Sequence, residues 1–451
     1  MKLFSLLLAV CLARVTPAVL HAQQASAAPA ASTTISLDEA ISRARANEPG
    51  FAAAVAANRV SALDVSIARS ALLPSAVYHN QYVYTQPNGS TSNGSTDHPA
   101  LNGTTSAPRF IANNAVHEYA SQGVVTETIG LNQITAVSRA SAAAAIATAE
   151  LEIARRGLVA TVVGLFYGSL AADRKVDVAQ RAANEASSFT TLTQQREAAR
   201  EAAHADVVKA QLQQQQRERD LADAILQAQK SRLELAVLLF PDPHSPYMLT
   251  VATVPQPLAT RAEVEAAATL RNPELQSALA SLRASALDVT AARAAYLPDL
   301  GLNFTYGIDA EQFATRGPEN VQNLGYSASA TIDIPLWDWF STAHRIRQSE
   351  ILRDSARTTL SATQRRLVAQ LDESYAEAVV AHDQIQSLEL SVQTAAESLR
   401  LTRLRYTAGE ATVFEVVDAQ NSLLAIELAH EDGIVRYQTA LANLQLLTGT
   451  I

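Results

Sequence analysis

The sequence contains an internal duplication, and a duplication of this length limits the folds that the chain can adopt. The segment "PGFAAAVAANRVSALDVSIARSALLP" (49–74) aligns without a gap with "PELQSALASLRASALDVTAARAAYLP" (273–298), and 14 of the 26 positions are identical. A second pair, "REAAREAAHADVVKAQ" (196–211) and "RYTAGEATVFEVVDAQ" (405–420), shares eight of 16 positions. Two copies of a unit that cannot bury its own apolar face predict units that pack side by side.

Each copy begins with signals for two consecutive helices. The pattern S/T-x-x-E at 36–39 and at 260–263 is a capping box, which predicts a short helix. Pro49 and Pro273 follow, and proline is well tolerated in the first turn of a helix. Each second helix is rich in alanine and ends at a Leu-Pro pair.

Alternating apolar residues follow these Leu-Pro pairs and predict strands with one apolar face. They are clearest in "DLGLNFTYGI" (299–308) and "LGYSASATIDI" (324–334), and the strands of the first copy flank a polar loop (87–108). We predict four strands per chain. The residues expected to face a membrane are Leu300, Leu302, Phe304, Tyr306, Tyr326 and Ile332.

Very long helices without proline follow the strands in both copies. We predict helices over 133–199 and 205–240 and over 342–406 and 412–448. A helix of about 65 residues spans roughly 100 Å, so its return partner must pack antiparallel as a coiled-coil hairpin. Aromatic residues make up only 5% of the chain and alanine is abundant, which suits helices packed at close distance.

These patterns divide the chain into a signal peptide and two repeats. Residues 1–22 have a short basic start and an apolar run, which predict a secretory signal peptide, and the single cysteine, Cys11, lies within it. The first repeat is predicted over 36–241, a linker over 242–259, and the second repeat over 260–449. After the signal peptide, no run of 18 apolar residues occurs, so entry into a membrane would use strands.

Charge and motif content narrow the classes of function. The net charge of −9 comes without a basic stripe, which argues against a nucleic-acid partner. The nine histidines lack metal-ligand spacing, and we expect no metal site and no cofactor. A Ser-His-Asp set, a phosphate-binding glycine loop and an HExxH motif are not found, so an enzyme is not expected.

The duplicated unit, the Asn272–Pro273 helix start, "IPLW" (334–337) and "RYTAGEATVFEVVDAQNSLL" (405–424) resemble the TolC-like outer membrane factors. The resemblance implies a mainly α-helical fold with a membrane β part. Each chain would contribute two tandem repeats with long antiparallel coiled-coil hairpins. Its four strands would complete a trimeric 12-stranded β-barrel, which continues as an α-barrel to form a channel-tunnel.

The same resemblance implies a passive export duct of a tripartite efflux or type I secretion system, not an enzyme. The protein would be a homotrimer in the outer membrane of a Gram-negative bacterium, with most of its mass in the periplasm. Its expected partners are a periplasmic adaptor (membrane fusion) protein, an inner-membrane transporter and outer membrane lipid. Drugs, metals or proteins are the substrate classes that the family exports.

Acidic residues near the second hairpin turn are candidates for a periplasmic gate. Glu415 and Asp418 are three residues apart and share one helix face, and Asp206 aligns with Glu415 in the first hairpin. By resemblance they would constrict the tunnel entrance and attract cations. The alternative is that they are only N-terminal carboxylates favoured by the helix dipole. Lys209 stands where repetition would give a second Asp418, and Ala411 stands where some relatives have an arginine.

The hairpin turns themselves are the predicted site of adaptor contact. Tyr406 and Gly409 mark the break between the second pair of long helices. Arg405 and the aligned Arg196 flank the two turns, and Arg200 aligns with Gly409.

Two other classes of protein compete with this interpretation. A periplasmic coiled-coil adaptor or scaffold without a pore would share the signal peptide and the hairpins, but should lack paired apolar-faced strands. A protein that binds lipid surfaces through amphipathic helices would show large Leu/Phe faces with basic flanks, whereas these helices are rich in Ala, Gln and Glu.

Overall fold

A computed structural model describes residues 33–84, 117–250, 258–310, 312–317, 320 and 322–449. The predicted signal peptide and the polar loop at 87–108 lie outside the described residues. The elements of the described chain, in order, are β1 (Thr33–Ile35), α1 (Leu37–Asn47), α2 (Pro49–Ser70), β2 (Ser75–Tyr84), β3 (His117–Ile129), α3 (Leu131–Ala198), α4 (His204–Leu239), β4 (Tyr247–Leu249), α5 (Arg261–Arg271), α6 (Pro273–Ala294), β5 (Asp299–Ala310), β6 (Leu324–Asp333), α7 (Ser341–Thr407) and α8 (Val413–Thr448).

The local sequence signals account for the helix ends. The Ser36 hydroxyl accepts from the Glu39 N–H at 3.3 Å, and in the second half the Thr260 N–H donates to Glu263 at 3.0 Å. Pro49 and Pro273 are the first residues of α2 and α6, as predicted. The four long helices begin and end within two residues of their predicted positions, and α3, with 68 residues, is about 100 Å long.

The four long strands form one antiparallel sheet in the order β2-β3-β5-β6. Tyr82 pairs with Tyr119, Val125 with Phe304, and Leu300 with Ile332. β2 and β6 lie at the edges of this sheet, and one side of each has no strand partner among the described residues.

Four helices continue the order of the four strands. Helix α2 packs on α3, α3 on α6, and α6 on α7, so a layer of helices follows the layer of strands in the same sequence. The return helices α4 and α8 pack against α3 and α7, and α3 also contacts α8. The outer helices of this layer are those connected to the edge strands: α2 precedes β2, and α7 follows β6.

Two short strands were not predicted. β1 and β4 pair in parallel, with Thr33 opposite Tyr247 and Ile35 opposite Leu249. β4 lies within 242–259, which the sequence suggests is a linker. Ile35 is fully buried and packs with residues of α1, α3 and α4, so this pair ties the two ends of the first half together.

Within the described residues, the apolar core is divided among three clusters along the helices. One lies around Phe166 and Leu235 in α3 and α4, and a second around Leu371 and Leu444 in α7 and α8. The third lies at the hairpin ends and includes Phe189, a residue of the first hairpin. Each cluster includes buried alanine, and further alanines are buried along α3, which allows the long helices to approach closely.

By length and composition, two described helices could also cross a membrane: α2 and part of α3. Helix α2 carries Arg59, Asp64 and Arg69 along its 22 residues, and α3 packs along several other helices for much of its length. Their packing is that of bundle helices.

Candidate functional site

The strand pairing gathers the predicted membrane-facing residues on one face of the sheet. Alternate residues of a strand point to the same side, and the register places Leu300 opposite Ile332, Leu302 opposite Ala330 and Tyr306 opposite Tyr326. Tyr326 is 77% exposed and Ile332 is 63% exposed in the single chain. Large apolar side chains are therefore presented to the surroundings in consecutive rows.

Aromatic residues form part of this face. Tyr78, Gly123, Tyr306 and Tyr326 lie in one row across all four strands. The Phe304 and Tyr326 rings stack with centroids 6.3 Å apart. Gly123 leaves a gap in the row, and the Tyr78 hydroxyl hydrogen-bonds the nearby Ser121 hydroxyl at 2.8 Å. The sequence alone did not predict this row, because the alternation of apolar residues is irregular in the strands of the first copy.

The opposite face of the sheet is polar and carries many small side chains. In β5 and β6 it presents Asn303, Thr305, Gly307, Asp309, Gly325, Ser327, Ser329 and Thr331. The Gln122 amide donates to the Asp309 carboxylate at 3.1 Å across the strands. A sheet that is apolar on one face and polar on the other has the pattern of a membrane barrel with a wet interior.

The second hairpin turn is closed by a capping box. The Thr412 N–H donates to Glu415 at 3.1 Å, and the Glu415 N–H donates to the Thr412 hydroxyl at 3.3 Å. These bonds from Thr412, and then the charge of Arg405, hold the pKa of Glu415 below its usual value. Arg405 lies 3.4 Å from Glu415, and Gly409 has a φ of +82°. Glu415 therefore caps α8.

The first hairpin turn has a related geometry with different residues. Asp206 accepts from the Ala203 N–H at 3.4 Å, at the same position of α4 that Glu415 holds in α8. Arg200 has a φ of +63°, so it takes the left-handed conformation of the aligned Gly409. His204 contacts Glu197 at 2.7 Å across the turn.

A link joins the two hairpins near their ends. Tyr406 is 4% exposed, its ring packs edge-on against Phe189, and its hydroxyl is 3.4 Å from the Thr193 hydroxyl. Arg196 lies over the Tyr406 ring and donates to the Tyr406 carbonyl oxygen. Tyr406 and Arg196 are thus occupied within the chain, while Gly409 and Arg405 lie on the more open side. Adaptor binding by these residues stays a prediction.

The remaining gate candidate is exposed. Asp418 lies on the surface of α8 one turn after Glu415. Lys209, which aligns with Asp418 in the first hairpin, packs on a different residue: its ammonium lies 5.3 Å from the ring centroid of Phe414. Phe414 is 65% exposed beside Glu415, and the sequence had not singled it out. Ala411 packs against the buried cluster at the hairpin ends.

Ion pairs extend the contact between the hairpins further along α3 and α8. Each pair joins a basic residue of α3 to an acidic residue of α8: Arg174–Glu431 at 3.3 Å, Lys175–Asp432 at 2.5 Å and Arg181–Glu427 at 3.0 Å. Exposed pairs of this kind contribute little stability individually, so they chiefly fix the register of the two helices. In the part of the chain that the structure describes, no group of three or more His, Cys, Asp or Glu is arranged to hold a metal ion.

Comparison with known proteins agrees with this geometry. The family model "Outer membrane efflux protein" matches residues 266–450. Outer membrane protein OprJ of Pseudomonas aeruginosa is 26% identical over 174 residues, which cover 39% of this chain and 36% of that protein. The match thus spans about a third of the length of this curated relative.

Solved structures resemble nearly the whole chain. The CmeC outer membrane channel of Campylobacter jejuni has a TM-score of 0.76 at 14% identity, covering 92% of this chain and 85% of that one. The outer membrane protein VceC of Vibrio cholerae has a TM-score of 0.77 at 16% identity, covering 92% and 96%. Residues 266–450 thus resemble the outer membrane efflux protein family, and the described chain has the fold of these channels.

Proposed function

We propose that the protein is an outer membrane channel-tunnel of a tripartite efflux or type I secretion system. The observation that carries the proposal is the four-stranded sheet with one apolar face, one polar face and two open edges, continued by a layer of long helices. The protein would serve as a passive duct. An inner-membrane transporter would supply the energy and a periplasmic adaptor would connect the two.

We infer that three chains assemble into one barrel. Four strands cannot close a barrel, and unpaired strand edges are not tolerated in lipid. β6 of one chain would pair with β2 of the next, and three chains would give 12 strands, an even number within the range of such barrels. The exposed apolar residues Val60, Leu63 and Ile67 of α2 would then pack against α7 of the neighbour.

The two halves, 36–241 and 260–449, would act as equivalent repeats around the axis, joined by 242–259. Six hairpins would surround the tunnel in the trimer. A periplasmic adaptor without a pore would not need a sheet with one apolar and one polar face, so this alternative is not favoured. Outer membrane lipid would contact the face that carries Phe304 and Tyr326.

The proposed gate lies where the hairpins end. Glu415, Asp418 and Asp206 from three chains would place nine carboxylates near the axis. Such a ring attracts cations and repels anions at close quarters. The exposed positions of Asp418 and of the neighbouring Phe414 support this assignment, and the capping role of Glu415 is compatible with it.

Single-channel recording in planar lipid bilayers tests the proposal. The purified protein should produce discrete conductance steps with cation preference. Gly307→Ala, which should prevent the sheet from forming, provides a protein preparation without channels. Wild-type protein that enters bilayers without conducting, or that never associates with them, would refute the duct function.

A further inference from the structure

The junction between β6 and α7 has more exposed apolar surface than a solvated turn would tolerate. Leu336, Trp337, Trp339 and Phe340 are 89%, 65%, 81% and 62% exposed. Both Trp339 and Phe340 have positive φ, at 54° and 64°. Bulky residues rarely take this conformation, and strain at exposed aromatic residues points to a functional surface.

The rings are organised into a cluster. Trp337 packs edge-on against Trp339 with centroids 5.7 Å apart and against Phe340 at 5.4 Å. Asp338, between the two tryptophans, accepts from the Thr342 N–H at 2.6 Å and so fixes the start of α7. The cluster continues the apolar face of β6 from Ile332 through Ile334, both of which are more than 60% exposed.

Basic residues follow the aromatic cluster within two turns of α7. Arg345 and Arg347 are exposed. Arg347 shares Glu350 with Arg293 of α6, at 3.4 Å and 2.9 Å, while Arg345 forms no ion pair with any residue that the structure describes. Beyond the paired Asp299 and Asp333 at the strand ends, Arg293, Arg345 and Arg347 outnumber the two carboxylates of Asp338 and Glu350 by one. The side of the junction away from the strands therefore has an excess of positive charge.

We propose that this junction, which we call the aromatic–arginine collar (336–347), binds the headgroup of an anionic phospholipid in the periplasmic leaflet. Aromatic rings prefer the boundary between acyl chains and headgroups, and guanidinium groups reach the phosphates just beyond it. The order along the chain matches this depth profile: apolar strand, aromatic cluster, then arginines. The inference rests on the proposed function, because it requires the sheet to lie in the outer membrane.

The sequence supplies a direct reporter. The chain has two tryptophans, and both are in the collar. Their fluorescence should be quenched in vesicles of phosphatidylcholine and phosphatidylglycerol in which the acyl chains are brominated near the headgroup. Bromine near the end of the acyl chain should quench much less. Tryptophans that are equally insensitive to both lipids would overturn the proposal.

Headgroup preference is tested by native mass spectrometry of the detergent-solubilised protein mixed with phosphatidylglycerol or phosphatidylcholine. The wild type should retain phosphatidylglycerol preferentially. The double variant Arg345→Gln/Arg347→Gln should lose that preference, by about fivefold for each arginine removed. The matched control is Arg353→Gln, because Arg353 lies about 9 Å beyond Arg347 along α7 and is paired with Asp354.

The outcomes separate this inference from the proposed function. Channel conductance of each variant is measured in parallel. A conducting protein whose lipid binding does not depend on charge would overturn the collar and leave the duct in place. A protein that never enters the bilayer would overturn both. Equal loss of phosphatidylglycerol in Arg353→Gln would also contradict the collar, since it would indicate a diffuse charge effect.

Discussion

The guanidinium carbon of Arg196, in the first hairpin, lies 4.9 Å from the ring centroid of Tyr406, in the second, and Arg196 also donates to the Tyr406 carbonyl. This contact joins two turns that are 210 residues apart in sequence. The Tyr406 carbonyl also accepts from the Gly409 N–H at 3.1 Å, so Arg196 adds a charged donor to the C-terminal turn of α7.

We predict that Arg196→Met loosens the hairpin ends and favours an open entrance. Loss of a hydrogen bond from a charged donor costs about 1.5–3 kcal/mol, enough to raise the open population about tenfold or more. The measurement is single-channel open probability. Arg200→Met, at an exposed position of the same turn, is the control, and an equal response in both variants would exclude a specific role for Arg196.

The two left-handed positions give a prediction on stability. Gly409→Ala should destabilise the protein by about 1 kcal/mol, because a side chain is strained at a φ of +82°. Arg200→Gly should stabilise it by about 0.5 kcal/mol, since relief of strain exceeds the added freedom of the unfolded chain. Chemical denaturation of the purified protein measures both. If both substitutions changed the free energy of unfolding in the same direction, the two turns would not be equivalent.

The gate carboxylates are tested by removing their charge. We predict that Glu415→Gln/Asp418→Asn raises conductance and weakens block by divalent cations. Glu410→Gln, in the adjoining turn, should leave both properties unchanged. The hydrogen bonds from Thr412 lower the pKa of Glu415, so this carboxylate should stay charged as the pH falls to 4.5. The part of the divalent-cation block that Glu415 causes should therefore weaken only below that pH. If divalent cations block the double variant as strongly as the wild type, the two carboxylates act only at the helix N-terminus and not as a gate.

Close approach of strands β3 and β5 makes one glycine indispensable. A Cβ on Gly307 would lie 2.2 Å from the Ser121 carbonyl oxygen, whereas a Cβ on the opposite Gly325 would meet nothing within 4 Å. We predict that Gly307→Ala abolishes assembly in the membrane and that Gly325→Ala assembles normally. The yield of heat-resistant oligomer in outer membrane fractions distinguishes them. Normal yield of the Gly307 variant would contradict the register described above.

An acid-sensitive ion cluster ties α3 to the ends of two other helices. Arg156 is buried, binds Glu152 at 2.7 Å, and donates to the carbonyls of Arg271 at 3.1 Å and Leu446 at 3.2 Å. Hydrogen bonding from Arg155, and then from Arg156, lowers the pKa of Glu152 to about 2. A lowered pKa stabilises the folded state above the ordinary value of 4.5.

That contribution should disappear as the pH falls from about 4.5 towards about 2, as Glu152 becomes protonated. We predict that Glu152→Gln costs about 1–3 kcal/mol at neutral pH and little at pH 2. Denaturation profiles of both proteins at several pH values measure the difference. A cost that does not depend on pH would assign the effect of the substitution to packing.

Features encoded locally could be predicted from the sequence. The helix starts at Pro49 and Pro273, the ends of the long helices, and the alternation of β5 and β6 depend on nearby residues. The pairing of Tyr78 with Gly123 and of Gly123 with Tyr306 could not be predicted, because register across strands is set by tertiary packing. The parallel pair β1–β4 is too short to show periodicity.

Part of the candidate site depends on contacts between distant segments. Glu415 and Gly409 follow from turn signals and the family resemblance. The Arg196–Tyr406 link and the Lys209–Phe414 contact join residues about 200 positions apart, and nothing near either residue in sequence specifies its partner. Exposure of Phe414 is likewise a property of the folded hairpins.

The mass of the detergent-solubilised protein tests most directly the central claim that three chains complete one barrel. Light scattering on a sizing column, corrected for bound detergent, should give roughly three chains per particle. Removal of detergent should cause aggregation, because the apolar face would lose its cover. A monomer or dimer that stays dispersed in water without detergent would contradict the account.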